Sequence, residues 1–254
     1  MKIRFFPETA LAGFSHLDGT VGMYTQVAAM LRPTDVVLEF GAGRGANILS
    51  DPSPYRQWLQ TLKGRCARVA GCDLDPVVLQ NPFLDDATVL QPGQPLPYTN
   101  DTFDLILSNN VFEHVDDAET AAAELLRVLK PGGVLCASTP NKFGYVALMA
   151  MLVKNTHHSK VLARVQPHRL PEDVFPTRYR MNTPRTLRRL FGRAAEVIVY
   201  ATSAEPSYHF NNALIYRAFM ILHRLLPRSL GATLIVFVRK AQTPGVPSGR
   251  QAKN

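Results

Sequence analysis

The chain has 254 residues, 46% hydrophobic and 19% charged, enough apolar material for one well-buried α/β domain and too little charge for a disordered chain. Three cysteines, Cys66, Cys72 and Cys136, show no C-x-x-C spacing, which excludes a zinc ribbon or disulfide framework as the expectation and suits a reducing cytoplasm. The net charge of +8 is divided: residues 1–141 hold 10 Lys and Arg against 16 Asp and Glu, a balance of −6, and residues 142–254 hold 18 against 4, a balance of +14.

In chain order, the N-terminal MKIRFFPETALAG lacks the apolar run of a signal peptide. Val21–Leu31 reads as a packing helix. Asp35–Gly41 (DVVLEFG) is a short apolar run ending in glycine, as expected of a buried parallel strand. Ser53–Leu62 reads as a helix with Ser53 as N-cap and Pro54 in its first turn. Arg68–Asp73 is a second strand, Pro76–Gln80 a short helix, Ala87–Leu90 a third strand and Phe103–Ser108 a fourth. Asp117–Leu129 has helical apolar spacing and stops at Lys130-Pro131-Gly132-Gly133, before a fifth strand, Val134–Ser138. Thr139–Tyr179 then breaks the rhythm and is rich in His, Arg and Pro. A helix over Thr183–Phe191, a strand over Glu196–Ala201, a helix over Asn211–Leu226 and a strand over Thr233–Arg239 follow. The tail 241–254, rich in Pro and Gly, is expected to be disordered.

This alternation predicts a doubly wound α/β fold, with a mostly parallel sheet and helices on both faces. Ligands of such sheets bind at the carboxyl ends of the strands. Gly41-Ala42-Gly43-Arg44-Gly45 falls there, and its glycines allow a sharp turn and close approach of a ligand to the backbone. Glu39, at the first strand's end, is placed to hold an ammonium group. Asp73, at the end of the second, is placed to accept from ribose hydroxyls. Alone, the loop leaves a dinucleotide enzyme open, because Gly41, Gly43 and Ala46 also satisfy G-x-G-x-x-[GA].

Four segments carry a resemblance: LEFGAGRG (Leu38–Gly45), GCDLDP (Gly71–Pro76), LPYTNDTFDLILSNNVFEHVDD (Leu96–Asp117) and ELLRVLKPGGVL (Glu124–Leu135). In order and spacing the chain resembles the class I S-adenosylmethionine-dependent methyltransferases, in the group of small-molecule enzymes with a ubiquinone-biosynthesis-type domain. The resemblance implies a Rossmann-like sheet of seven strands with an antiparallel last strand. It implies a single domain over 1–240, with a core at 34–140, an N-terminal lid at 1–33 and a substrate-cap insertion after strand 5, at 139–182. It implies S-adenosylmethionine as methyl donor, leaving as S-adenosylhomocysteine. The implied cofactor residues are Glu39, Gly41, Ala42, Gly43, Gly45, Asp73 and Leu74, with Gln91 and Pro92 toward the adenine and Asn109 and Asn110 toward the methionine end. The resembling family usually has an acidic residue near the adenine amine; here the stretch reads Leu90-Gln91-Pro92-Gly93, and Gln91 offers a side-chain oxygen instead.

Glu113 and His114 follow the fourth strand and are the candidate catalytic pair, with His114 as general base for an acceptor hydroxyl. The other reading has the pair capping the next helix and shaping the cofactor pocket. For the acceptor, the candidates are Tyr24 before the core and His168, Arg178, Tyr179 and Arg180 in the insertion, whose guanidinium forks suit carboxylate or phosphate. His157, His158 and His168 have no carboxylate or cysteine at ligand spacing, and no metal is expected. The basic half leaves open an anionic or partly apolar small-molecule acceptor and peripheral membrane contact. The helix over Asn211–Leu226 covers the sheet, forms a homodimer face or rests on a membrane. Nucleic acid is not expected: Ser108-Asn109-Asn110-Val111 is not the N-P-P-[YF] motif that grips a flipped base, and no RNA-binding module is appended. The sequence thus predicts O-methylation of a sugar, glycolipid or secondary-metabolite hydroxyl. The rivals are a catalytically silent cofactor-binding subunit and an NAD(P)-dependent oxidoreductase.

Overall fold

The computed structural model describes residues 2–145, 147, 176–206 and 212–242. Seven strands form one sheet: β1 (Val36–Phe40), β2 (Arg68–Asp73), β3 (Asp86–Val89), β4 (Phe103–Asn109), β5 (Leu129–Pro140), β6 (Ala195–Thr202) and β7 (Thr233–Lys240). Their order is β3-β2-β1-β4-β5-β7-β6. Neighbours from β3 to β5 pair in parallel, while β7 runs antiparallel to both β5 and β6. The seven-stranded, doubly wound sheet with an antiparallel last strand is therefore present as expected.

The central strands β1, β2, β4 and β5 are rich in apolar residues because both faces are covered. The helices before and within the sheet are α1 (Lys2–Phe5), α2 (Thr9–Ala12), α3 (Gly19–Met30), α4 (Ala46–Leu49), α5 (Pro54–Gln60), α6 (Ala118–Val128), α7 (Pro184–Phe191) and α8 (Ala213–Leu225). Side chains alternate between the two faces. Val37, Val69, Leu105 and Leu107 pack with Val27 of α3 and Leu59 of α5. Leu38, Ala70, Ile106 and Leu135 pack with Leu125 of α6 and Phe191 of α7 on the other side. Caps set the helix starts: Asp18 accepts from Val21 N, Ser53 from Arg56 N, Thr183 from Thr186 N, and Asn212 from Leu214 N and Ile215 N.

One boundary differs from the sequence reading. The Lys-Pro-Gly-Gly stretch ends α6, but it lies inside β5, not before it. Leu129 already pairs with Phe103, and pairing resumes at Leu105 with Val134. Residues 130–133 bulge between, with Gly132 in the left-handed region at φ 75°. A Cβ on Gly133 would stand 2.8 Å from the Lys130 carbonyl oxygen, so the bulge closes tightly upon itself. Lys130 Nζ meets Asp104 Oδ2 at 2.7 Å, and that same oxygen accepts from Val36 N at 3.0 Å.

The loop between β3 and β4 is held by one arginine. Arg127 donates to Glu124 Oε1 and Oε2 at 2.7 Å each, to Leu96 O at 2.9 Å and to Tyr98 O at 2.7 Å. Glu124 Oε2 also accepts from Leu96 N at 2.7 Å. Removing the guanidinium takes the donors from the Leu96 and Tyr98 carbonyls and leaves the partly buried Glu124 carboxylate with Leu96 N but no counter-charge. Arg127→Ala is therefore expected to destabilise the chain by about 2–3 kcal/mol, read from the urea unfolding midpoint at unchanged slope.

Candidate functional site

The chain turns at the end of β1, beside the end of its parallel neighbour β2. Gly41 N and Ala42 N both donate to the Cys72 carbonyl, at 2.8 and 3.1 Å. Gly41, Gly43 and Gly45 have φ of 74°, 50° and 72°, in the left-handed region that a side chain disfavours. A Cβ on Gly41 would also stand 2.3 Å from Val111 Cγ2. By contrast, nothing lies within 4 Å of where a Cβ on Gly43 would be, so that side of the loop opens onto free space. Gly45 caps α4.

Asp73 joins this loop. Its Oδ2 accepts from Gly43 N at 2.8 Å and its Oδ1 from Asp75 N at 3.0 Å. A carboxylate oxygen has two lone pairs, so each retains one acceptor position for a ligand. Asn81 supports the loop from behind: its Nδ2 donates to the carbonyls of Ala42 and Gly43, at 3.2 and 3.1 Å, and its Oδ1 accepts from Phe83 N. Sequence reading passed over Asn81, which sits 38 residues from the loop with only Pro82 to mark a turn. Leu74, Gln91 and Pro92 are exposed near the ends of β2 and β3, which Leu90 N ties to Asp73 O at 2.7 Å.

Glu39 lies between Gly71 of β2 and Leu107 of β4 at the carboxyl end of the sheet. Burial pushes its carboxyl up to about 7. Tyr24 of α3 is buried against the same place. Burial, and then the nearby Glu39 carboxylate, push its hydroxyl up, while a hydrogen bond with Asn109 opposes them. Tyr24 thus stands beside the expected methionine end of the cofactor cradle. Asn109 also accepts from Ser138 Oγ, and Asn110 N donates to Ser138 O at 2.9 Å. Asn110 itself is left-handed, φ 56°, which marks the turn out of β4.

That turn carries Glu113 and His114. Asp117, not this pair, caps α6, accepting from Thr120 N at 3.0 Å, so the pair is left to other work. Glu113 is buried, and its Oε2 accepts from Thr139 Oγ1 at 3.0 Å. Asn182 Nδ2 in turn donates to Thr139 Oγ1 at 2.6 Å and to Pro140 O at 2.9 Å. His114 Nδ1 lies 2.9 Å from the Pro176 carbonyl oxygen. A carbonyl only accepts, so Nδ1 carries the proton, and Nε2 lies 3.9 Å from Glu113 Oε1.

The remaining acceptor candidates are partly in reach of this centre. Arg178 N and Tyr179 N both donate to Glu113 O, at 2.6 and 3.1 Å, which brings the end of the insertion to the pair. Arg178 Nε meets Asp116 Oδ1 at 2.8 Å, and the Asp117 carboxyl is lowered chiefly by its hydrogen bonds from Thr120, with Arg180 adding the smallest contribution. His157, His158 and His168 lie outside the described residues. Among the described residues no cluster of three His, Cys, Asp or Glu forms a metal site.

Residues 38–137, the segment holding the glycine loop, Asp73 and the Glu113–His114 turn, match the methyltransferase-domain family. An uncharacterized methyltransferase of Mycobacterium leprae is 44% identical over 52 residues, 20% of this chain and 19% of that protein. The chain thus spans about a fifth of the length of the curated relatives it matches. Among solved structures, a SAM-dependent methyltransferase of Thermotoga maritima superimposes with a TM-score of 0.54 at 16% identity, covering 92% of this chain and 93% of that one. A SAM-dependent methyltransferase of Archaeoglobus fulgidus gives 0.51 at 14% identity, covering 93% and 99%. At such identities these likenesses speak for the fold.

Glu39 binds its proton more tightly in the folded chain than at its ordinary value of 4.5. The stability that this proton confers is present at low pH and is lost as pH rises from about 4.5 through about 7. Glu39→Gln should therefore raise the thermal unfolding midpoint at pH 8 by about 2–4 °C and leave it unchanged at pH 4, measured by calorimetry without ligand.

Proposed function

We propose that the chain is an S-adenosylmethionine-dependent methyltransferase of a small-molecule acceptor, and that the methylated atom is a hydroxyl oxygen on a sugar, glycolipid or secondary metabolite. One observation carries the reading. The open glycine loop, Asp73 and the Asn109–His114 turn meet at one end of β1, β2 and β4, inside the segment that matches the methyltransferase-domain family.

The residues fit the cofactor chemically. Asp73 has two acceptor positions left for ribose hydroxyls. Glu39 offers a carboxylate, buried enough to favour a cationic partner, to the amino group of the methionine end. The space above Gly43 leaves room for a ligand against the backbone. Ala42, Gly45 and Leu74 line the same end, Gln91 and Pro92 flank the adenine side, and Asn109 and Asn110 flank the methyl side. When bound, S-adenosylmethionine supplies a sulfonium-activated methyl group for in-line displacement.

The chain's own contribution is mostly positioning. Holding an acceptor in line at near-attack distance while excluding water supplies on the order of 7–11 kcal/mol. His114 adds proton transfer. Its ring is fixed through Nδ1 on Pro176 O, so Nε2 takes the hydroxyl proton, and the Glu113 carboxylate nearby favours the imidazolium that forms. Glu113 acts as a positioning residue. The bond from Thr139 and the N–H groups of Arg178 and Tyr179 keep its segment in place. A base held this way serves a hydroxyl, which must lose a proton as it attacks. Tyr24, His168, Arg178, Tyr179 and Arg180 are the proposed acceptor contacts, and the acceptor is anionic or partly apolar.

Two measurements test this. S-adenosylhomocysteine should bind in titration calorimetry, and Asp73→Ala should weaken it by roughly tenfold or more, the loss of a charge-assisted hydrogen-bond pair. No binding, or full affinity in the variant, overturns the cofactor assignment, and a response to NADH instead favours an oxidoreductase. His114→Ala should lower methyl transfer from labelled S-adenosylmethionine into a metabolite extract by about 10²-fold or more while leaving S-adenosylhomocysteine affinity unchanged. An unchanged rate removes His114 as the base.

A further inference from the structure

The β6–β7 connection leaves the sheet and returns to it at the same end. Thr202 pairs with Thr233, and Thr233 with Pro140 at the carboxyl end of β5. The α8 helix within this connection therefore sits at the end of the sheet that carries the glycine loop and His114. Its inner face is anchored. Tyr216 is buried and stacks on Phe5 of α1 at 4.5 Å, Phe219 stacks on Tyr145 at 5.1 Å, and His223 Nε2 lies 2.9 Å from the Tyr145 hydroxyl.

The outer face is the unusual one. Leu214, Ile221 and Leu225 are 74%, 58% and 77% exposed, and Ala218 is exposed between them. Their spacing of four, three and four residues makes one continuous apolar stripe along the helix. Exposed Arg217 and Arg224, seven residues apart, flank one side of it, and exposed Arg228 follows the C-terminus. Next to it, α1 adds exposed Ile3, Lys2 and Arg4. Neither helix contains Asp or Glu, and none occurs after Glu205, which is buried and bonded to Lys2. An apolar stripe with a one-sided basic margin is the pattern of a helix lying in a lipid interface. No helix among the described residues is long and apolar enough to cross a bilayer.

From this geometry we infer that the outer face of α8, with α1 beside it, docks the protein onto an anionic lipid bilayer. The stripe enters the boundary between headgroups and acyl chains, and Arg4, Arg217, Arg224 and Arg228 meet the lipid phosphates. The charge pattern disfavours a second copy as occupant. Two such helices laid antiparallel bring their one-sided arginine margins together with no carboxylate on the helices to answer them. Docking in this orientation brings the site's end of the sheet toward the membrane. On the methyltransferase reading, that suits an acceptor carried by a lipid.

Sedimentation with vesicles of phosphatidylcholine alone, or with one quarter phosphatidylglycerol, tests this on the full chain. Binding is expected to the anionic vesicles and to fall steeply at high salt. The triple variant L214Q/I221Q/L225Q should lose at least about tenfold in partitioning. Arg224→Gln with Arg228→Gln should lose about fivefold per arginine. The altered residues are exposed, so circular dichroism and the thermal midpoint should match wild type. Absence of binding to anionic vesicles, or unchanged partitioning of the triple variant, overturns the inference. So does a wild-type dimer in size-exclusion chromatography that the triple variant abolishes, because the stripe is then a subunit interface. S-adenosylhomocysteine binding is measured separately on the same samples. Its failure bears on the proposed enzyme and leaves the docking result standing.

Discussion

The site depends on one crossing of backbone, where the end of β1 folds over the end of β2. The Cys72 carbonyl accepts two N–H groups from this turn, and the Asp73 carboxylate accepts a third from Gly43. These bonds hold three glycines in a conformation that costs any other residue roughly 1–2 kcal/mol. The carboxylate that closes the turn is also the one proposed to receive the ribose. Local architecture and ligand recognition therefore share one side chain, and neither can be altered alone. Val111 completes the arrangement from the turn after β4, filling the space that a Cβ on Gly41 would need.

A second cluster holds the Glu113–His114 turn through polar contacts between distant segments. Asn182 holds Thr139, Thr139 holds Glu113, and the Glu113 carbonyl receives the N–H groups of Arg178 and Tyr179. Pro176 then fixes the His114 ring. Buried polar groups of this kind are expensive unless satisfied, so the chain is a strong constraint on where the returning segment can lie. It gives His114 an orientation that its own neighbours in sequence do not provide.

The helix inserted between β6 and β7 changes what the basic half of the chain means. Charge alone was compatible with a polyanion, an anionic substrate or a solvated surface. Once α8 is seen with its aromatic side turned inward and Leu214, Ile221 and Leu225 outward, Arg217, Arg224 and Arg228 become the margin of an apolar face. Hydrophobic and electrostatic attraction then act at one surface, on the end of the molecule where the glycine loop opens.

Much was legible in sequence because it rests on local rules. The continuous apolar runs announced buried strands, the cap at Ser53 with Pro54 announced a helix start, and the motifs from LEFGAGRG to LKPGG gave the glycine loop its setting. The sequence reading ended α6 correctly at the Lys-Pro-Gly-Gly stretch but placed it outside β5. Proline and glycine signal a break in a helix equally well whether a loop or a bulged strand follows. Tyr24 was singled out from sequence as an acceptor contact, yet its place beside Glu39 and Asn109 depends on how α3 packs across the sheet. Asn81, Asn182 and Thr139 carried no signal at all, since their partners lie 26 to 43 residues away. The sequence by itself determined the order of elements and the residues of the glycine loop, because backbone conformation and apolar periodicity are set within a few residues. Only the tertiary structure decided which nitrogen of His114 meets the Pro176 carbonyl and which side of α8 meets the outside. Both follow from contacts between segments that are remote along the chain.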